Sequence, residues 1–79
     1  MDEMISQLVE WELADTGDDW IRINNDNLAV DIDNVRDDHG LHGGYYAQVM
    51  VGGVTIFDAD NSNRRGIVQE VITALTASK

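Results

Sequence analysis

Apolar residues change their spacing several times along the chain, and each change marks an element. Met1, Met4, Ile5 and Leu8 share one helical face, while Val9, Trp11 and Leu13 alternate as in a strand. This start predicts a short N-terminal helix running into a strand near Val9. Asp15-Thr16-Gly17-Asp18-Asp19 supplies the residues that turns need. Ile21 and Ile23 then alternate with Trp20 and Arg22, and Leu28, Val30 and Ile32 alternate with Ala29, Asp31 and Asp33. Around the loop Asn24-Asn25-Asp26-Asn27 these two runs read as a hairpin with one apolar face. Residues 34–44 have no period and read as a connection.

The clearest pattern covers Tyr45 to Asp58. Tyr45, Ala47, Val49 and Val51 share a face, and Gly52-Gly53 turns the chain back through Val54 and Ile56. A regular two-residue turn pairs Val51 with Val54 and Val49 with Ile56, placing all four on one side. Tyr46, Gln48, Met50, Thr55 and Phe57 fall on the other, which is too apolar for an ordinary wet face. Asn61 or Ser62 can cap a helix through Ile67, Val68, Val71, Ile72 and Leu75, with Gly66 weakening its first turn by about 1 kcal/mol relative to Ala. The helix should pack on Ile21, Ile23, Leu28, Val30, Val49, Val51, Val54 and Ile56. The expected architecture is α+β: one domain over residues 1–79, an antiparallel sheet of four to five strands, a C-terminal helix packed on one face and a short N-terminal helix.

At 79 residues the chain buries only about 60% of its unfolded surface, so its stability is modest. There is no cysteine, hence no disulfide and no thiolate zinc site, which fits a reducing compartment. No apolar run reaches membrane-spanning length, and the Met-Asp-Glu start lacks the positive charge of a signal peptide. A cytoplasmic location is expected, without membrane contact. Charge alters the picture further. Fifteen acids face five Lys+Arg, a formal net charge of -10, and every acid but Glu70 lies in residues 1–60, where only Arg22 and Arg36 oppose them. Such a field repels DNA, RNA and anionic membranes and attracts basic surfaces, which argues against direct nucleic-acid binding.

Candidate catalytic and metal chemistry is thin. Asp58, Asp60 and Ser62 place oxygens at alternate positions as the first half of a calcium loop does, but Asn63 stands where that loop needs glycine and Gln69 where it needs a bidentate acid. The segment reads better as a strand exit and helix cap, with carboxylates near the positive helix end. His39 and His42, beside Asp37 and Asp38, lie in a glycine-flanked stretch that offers poor support for ligand geometry. The serines and threonines have no recognisable base or oxyanion hole around them. A non-enzymatic protein without a cofactor is expected.

Partner binding remains. Trp20, Tyr46, Met50 and Phe57 either pack under the N-terminal helix or form a sticky patch among acids. On a strand, Asp31 and Asp33 project to one side about 6.6 to 6.8 Å apart, a spacing of the same order as successive phosphates. Asp15, Asp18, Asp19, Asp26, Asp37 and Asp38 can extend that row from loops, giving an array that could occupy a Lys/Arg channel built for DNA. Two other readings stay open: acidity serving only solubility or high-salt adaptation, and an assembly module, such as a homodimer, using the apolar second sheet face.

The short length, the Asp-rich first three-quarters, the Tyr45-to-Phe57 hairpin and the capped helix from Ser62 together resemble small acidic phage-encoded anti-CRISPR and anti-restriction proteins. That group shares no catalytic motif and often no fold, so it assigns no role to any residue here. The resemblance implies an inhibitor that binds a host defence complex by imitating DNA at its basic groove, a type I CRISPR surveillance complex ahead of a restriction enzyme, inside a bacterial host's cytoplasm.

Overall fold

Met4, Leu8 and Trp11 recur at helical spacing, and that stripe decides the start of the chain. In the computed structural model, which describes residues 2–14, 20–36 and 42–77, α1 runs unbroken over Asp2–Leu13 and buries all three. The strand expected near Val9 is therefore absent. Trp11 continues the helical stripe from Leu8, whereas Leu13, which suggested alternation, is 73% exposed. Four strands follow: β1 (Trp20–Asn25), β2 (Leu28–Arg36), β3 (His42–Val51) and β4 (Val54–Asn61), then α2 (Arg64–Ala77). They form one antiparallel sheet in the order β1-β2-β3-β4. Strands β2 and β3 extend into the region expected to be a connection, with Asn34 opposite Tyr45 and a register shift between Asn34 and Arg36.

Asn24 and Asn25 pair within the first hairpin, leaving Asp26-Asn27 as its turn. Asp26 adopts φ 55, a left-handed conformation that Asp tolerates through local hydrogen bonding. Gly52 and Gly53, at φ 59 and 82, make the second turn, where a side chain would be strained. The Gly52 amide donates to the Asn27 carbonyl at 2.9 Å, so the two turns abut at one end of the sheet.

The β3-β4 register departs from a regular hairpin. Val51 pairs with Val54 and Met50 with Thr55, but Val49 pairs with Phe57, leaving Ile56 as a bulge. Beyond it the alternation is reversed. Phe57 and Ala59 face the helices and pack against the core, while Val54 (64% exposed) and Ile56 (52%) do not fill it and Val51 is also exposed. The extra residue corrects the expected outer placement of Phe57; the expected core placement of Val51, Val54 and Ile56 is corrected by their exposure, Val51 and Val54 pairing as expected but at the hairpin end, outside the buried cluster.

Both helices lie on the same sheet face. Met4, Leu8, Trp11, Ile23, Val30, Ile32, Tyr45, Ala47, Val49, Ile67, Val68, Val71 and Leu75 form a single buried cluster. The Trp11 and Tyr45 rings meet edge to face, 5.7 Å apart at 88°. Arg64 joins the helices: its guanidinium carbon lies 3.9 Å over the Trp11 ring, and Nε (3.0 Å) and Nη2 both donate to the Trp11 carbonyl. A cation is thus held at the negative end of α1.

The cap of α2 is Asn63, one residue beyond Ser62 and two beyond Asn61, the two expected caps. Its Oδ1 accepts from the Gly66 amide at 2.6 Å, and its carbonyl accepts from the Ile67 amide at 3.1 Å. The first turn carries Arg64 and Arg65 and no acid, contrary to the expected dipole arrangement. Asn61 instead crosses that turn, accepting from the Asn63 amide at 3.1 Å and donating to Glu70 at 3.1 Å. Gly66 makes room for it: a β-carbon there would lie 2.6 Å from Asn61 Cγ.

Two outcomes follow from this packing. Phe57→Ala should cost about 1 to 2 kcal/mol, whereas Ile56→Thr should stay within about 0.5 kcal/mol; urea unfolding reads both, and a larger loss at Ile56 would mean the hairpin is regular. Gly66→Ala should destabilise by about 1 kcal/mol, because displacing Asn61 forfeits hydrogen bonds worth more than the gain in helix propensity. In an Asn61→Ala background the same change should become stabilising, and an unchanged sign would rule out that contact.

Candidate functional site

With both helices on one side, the other sheet face is left open by the described residues, and the register orders its side chains into three rows. Trp20, Asp33, Tyr46 and Asp60 form the first, Arg22, Asp31, Gln48 and Asp58 the second, and Asn24, Ala29, Met50 and Thr55 the third. Among the described residues these rows carry four carboxylates against one guanidinium. Along β2 and β4 the paired acids stand about 6.6 to 6.8 Å apart, and about two interstrand steps of 4.8 Å separate the two pairs.

Of the residues expected from sequence, Trp20, Asp31, Asp33 and Tyr46 come together here, and Met50 joins them. Trp20 is 55% exposed. Asp26 lies apart, in the β1-β2 turn at the opposite end of the sheet from Asp33. Asp15, Asp18, Asp19, Asp37, Asp38 and His39 lie outside the described residues, as does the side chain of His42. Sequence reasoning placed Asp58 and Asp60 at a strand exit and helix cap and so missed them as members of this face. They are in β4, and Ser62 stands beyond it in the bend leading to α2. Among the described residues no three His, Cys, Asp or Glu side chains converge as metal ligands.

The two halves of the face differ in how their acids are occupied. Arg22 Nη2 donates to Asp33 at 3.1 Å, its Nε lies 3.8 Å from Asp31, and its guanidinium carbon sits 4.8 Å from the centre of the Trp20 ring. These groups are partly solvated, so each ion pair contributes about 0 to 1 kcal/mol and serves mainly to orient the side chains. On the other half, the Tyr46 hydroxyl donates to Asp58 Oδ2 at 3.0 Å. That hydrogen bond, helped by some desolvation and by the negative charges of Asp58 and Asp60, raises the Tyr46 pKa above its ordinary value. Asp60 has no hydrogen-bond or ion-pair partner among the described residues. A cleft of about 370 Å³ opens beside it, lined in part by Gly44, Tyr46, Asn61 and Ser62.

Apolar surface is concentrated elsewhere. A groove of about 490 Å³ runs between β4 and α2, lined by Phe57, Thr73, Ala74 and Ala77 with Gln69 and Glu70 at its rim, and Ile56 adjoins it. Among the described residues no helix is long and apolar enough to cross a membrane. No protein-family model, curated protein or solved structure matches this chain.

The Tyr46 contact supplies a direct check of the face's geometry. Its contribution is fully present below the ordinary tyrosine pKa and lost as pH rises through the raised one, so it is constant near neutrality. Asp58→Asn should bring the Tyr46 titration, followed on its ring by NMR, back toward the ordinary value. Identical titrations in the two proteins would show that the bond does not form in solution.

Proposed function

We propose that this protein is a non-enzymatic inhibitor that lays its open sheet face on a Lys/Arg-lined surface of a nucleic-acid-handling complex and blocks DNA there. The observation that carries the reading is the arrangement of Asp31, Asp33, Asp58 and Asp60 in two pairs, with Trp20 and Tyr46 between and beside them. Strands hold these carboxylates in fixed positions at spacings comparable to those of phosphates. Carboxylates accept bidentate hydrogen bonds from arginine, and a polyanionic face draws a basic groove toward it from a distance. The aromatic side chains add apolar anchoring that phosphates lack. A type I CRISPR surveillance complex is the target suggested by the resemblance to small acidic phage proteins, and the protein would then act in a bacterial cytoplasm.

A second reading has its own observation. Exposed Ile56 lines the apolar groove between β4 and α2, and Val51 and Val54 are exposed at the adjoining hairpin turn, which favours an assembly module, a homodimer or a subunit. That surface lies on the helix side and at the hairpin end, not on the second sheet face where the sequence pattern suggested it.

Competition on a purified type I surveillance complex tests the first reading. The protein should displace duplex DNA, and its affinity should fall by about tenfold or more between 0.1 and 0.5 M salt. A complex holding DNA and protein together, or an affinity indifferent to salt, would end the decoy reading for this target. Solution size separates the two readings: the inhibitor is expected as a monomer, while a stable dimer that protects Val54 and Ile56 from solvent would support assembly.

A further inference from the structure

We infer that Asp58, Asp60 and Tyr46 form a socket for an arginine side chain donated by a partner protein. The inference rests on the reading of the open face as a protein-contact surface and names the chemistry of that contact. The chain itself contains the template. In the β1-β2 half, an aromatic ring (Trp20) stands opposite one aspartate (Asp33), and Arg22 stands opposite a second (Asp31). The Arg22 guanidinium contacts both acids and lies over the ring. In the β3-β4 half, Tyr46 stands opposite Asp60 and Gln48 opposite Asp58. The positions and the chemistry repeat, except that neutral Gln48 occupies the place of Arg22.

The second half therefore has a ring and two carboxylates but, among the described residues, no internal cation. Gln48 also stands opposite Asp31 on β2, so a charge arriving above it meets acids on both flanks. Tyr46 fixes one oxygen of Asp58, leaving Oδ1 and the Asp60 carboxylate as acceptors. A guanidinium suits this site better than an ammonium. It is planar, stacks on an aromatic face and presents several donors in a rigid fork, whereas lysine offers a compact, strongly hydrated point charge.

The test uses the full chain and short acetylated, amidated peptides of the form Gly-Arg-Gly-Arg-Gly, with lysine and citrulline counterparts. Titration by NMR should show the arginine peptide shifting the Gln48 side-chain amide and the Tyr46 ring. The lysine peptide should bind several-fold more weakly, and the citrulline peptide should show no saturable shift. Asp60→Asn should weaken the arginine peptide about tenfold. Gln48→Arg should fold with an unchanged spectrum and abolish binding, since its own guanidinium fills the socket as Arg22 fills the first half. Equal binding of lysine and arginine peptides, shifts confined to the groove between β4 and α2, or undiminished binding in folded Gln48→Arg or Asp60→Asn would overturn the socket. The outcomes separate from those of the inhibitor reading. Arginine binding without DNA displacement leaves the socket and removes the decoy, and DNA displacement without arginine-peptide binding does the reverse.

Discussion

The extra residue at Ile56 governs both sides of the sheet. In an unbroken hairpin, Val54, Ile56, Asp58 and Asp60 would all point toward the helices, and Phe57 would point away. Carboxylates under α2 would lose their hydration without an ionic partner, a cost of several kcal/mol. The bulge instead reverses the alternation after Ile56. Phe57 and Ala59 enter the core, Asn61 reaches the first turn of α2, and Asp58 and Asp60 emerge opposite Gln48 and Tyr46. Packing and the acidic face are thus set by the same local irregularity. A bulge in β4 serves a third purpose as well, because β4 is an edge strand and an irregular edge resists pairing with another chain.

Placing both helices on one face is the second requirement. Their contact at Arg64 and Trp11 combines ring stacking with a hydrogen-bonded helix terminus, so α1 and α2 cover the sheet as a joined layer. Arg64 is withdrawn from the open face by this contact. Arg22 is on that face but engaged with Asp31 and Asp33. What remains uncompensated among the described residues is the β3-β4 side, and the asymmetry arises from where Arg22 and Arg64 are used within the fold.

Much of this was legible in the sequence where a single period holds. The stripe of Ile67, Val68, Val71 and Leu75 located α2, and the alternation through Leu28, Val30 and Ile32 located β2 and put Asp31 and Asp33 on its outer face. Failures came where a period changes. Val54 and Ile56 alternate in one phase, Phe57 and Ala59 in the other, and two adjacent large apolar residues at such a phase change are a signal for a bulge. Reading one phase through it put Phe57 outside and left Asp58 and Asp60 as a strand exit and helix cap instead of members of the outer face. Trp11 belonged to two patterns at once, and the helical stripe prevailed because Met4, Leu8 and Trp11 reach the core together. Nothing in the sequence reveals that Asn61 bypasses the cap to reach Glu70, since that depends on the space left by Gly66.

The concentration of acids in residues 1–60 is a property of the chain, whereas attraction of a partner depends on their arrangement in space. Two pairs of carboxylates on β2 and β4, with β3 between them, lie about one Debye length apart at physiological salt, so their mutual repulsion is weakened but not removed. In the folded protein that repulsion is an unfavourable term, partly offset by Arg22 in one half and left uncompensated in the other. A cation arriving over Gln48 gains attraction from Asp31, Asp58 and Asp60 at once, and it also relieves repulsion that the sheet cannot relax by moving them apart. The rigidity of the strands is what turns an excess of negative charge into a preference for a particular position and, through the ring of Tyr46, for a planar cation.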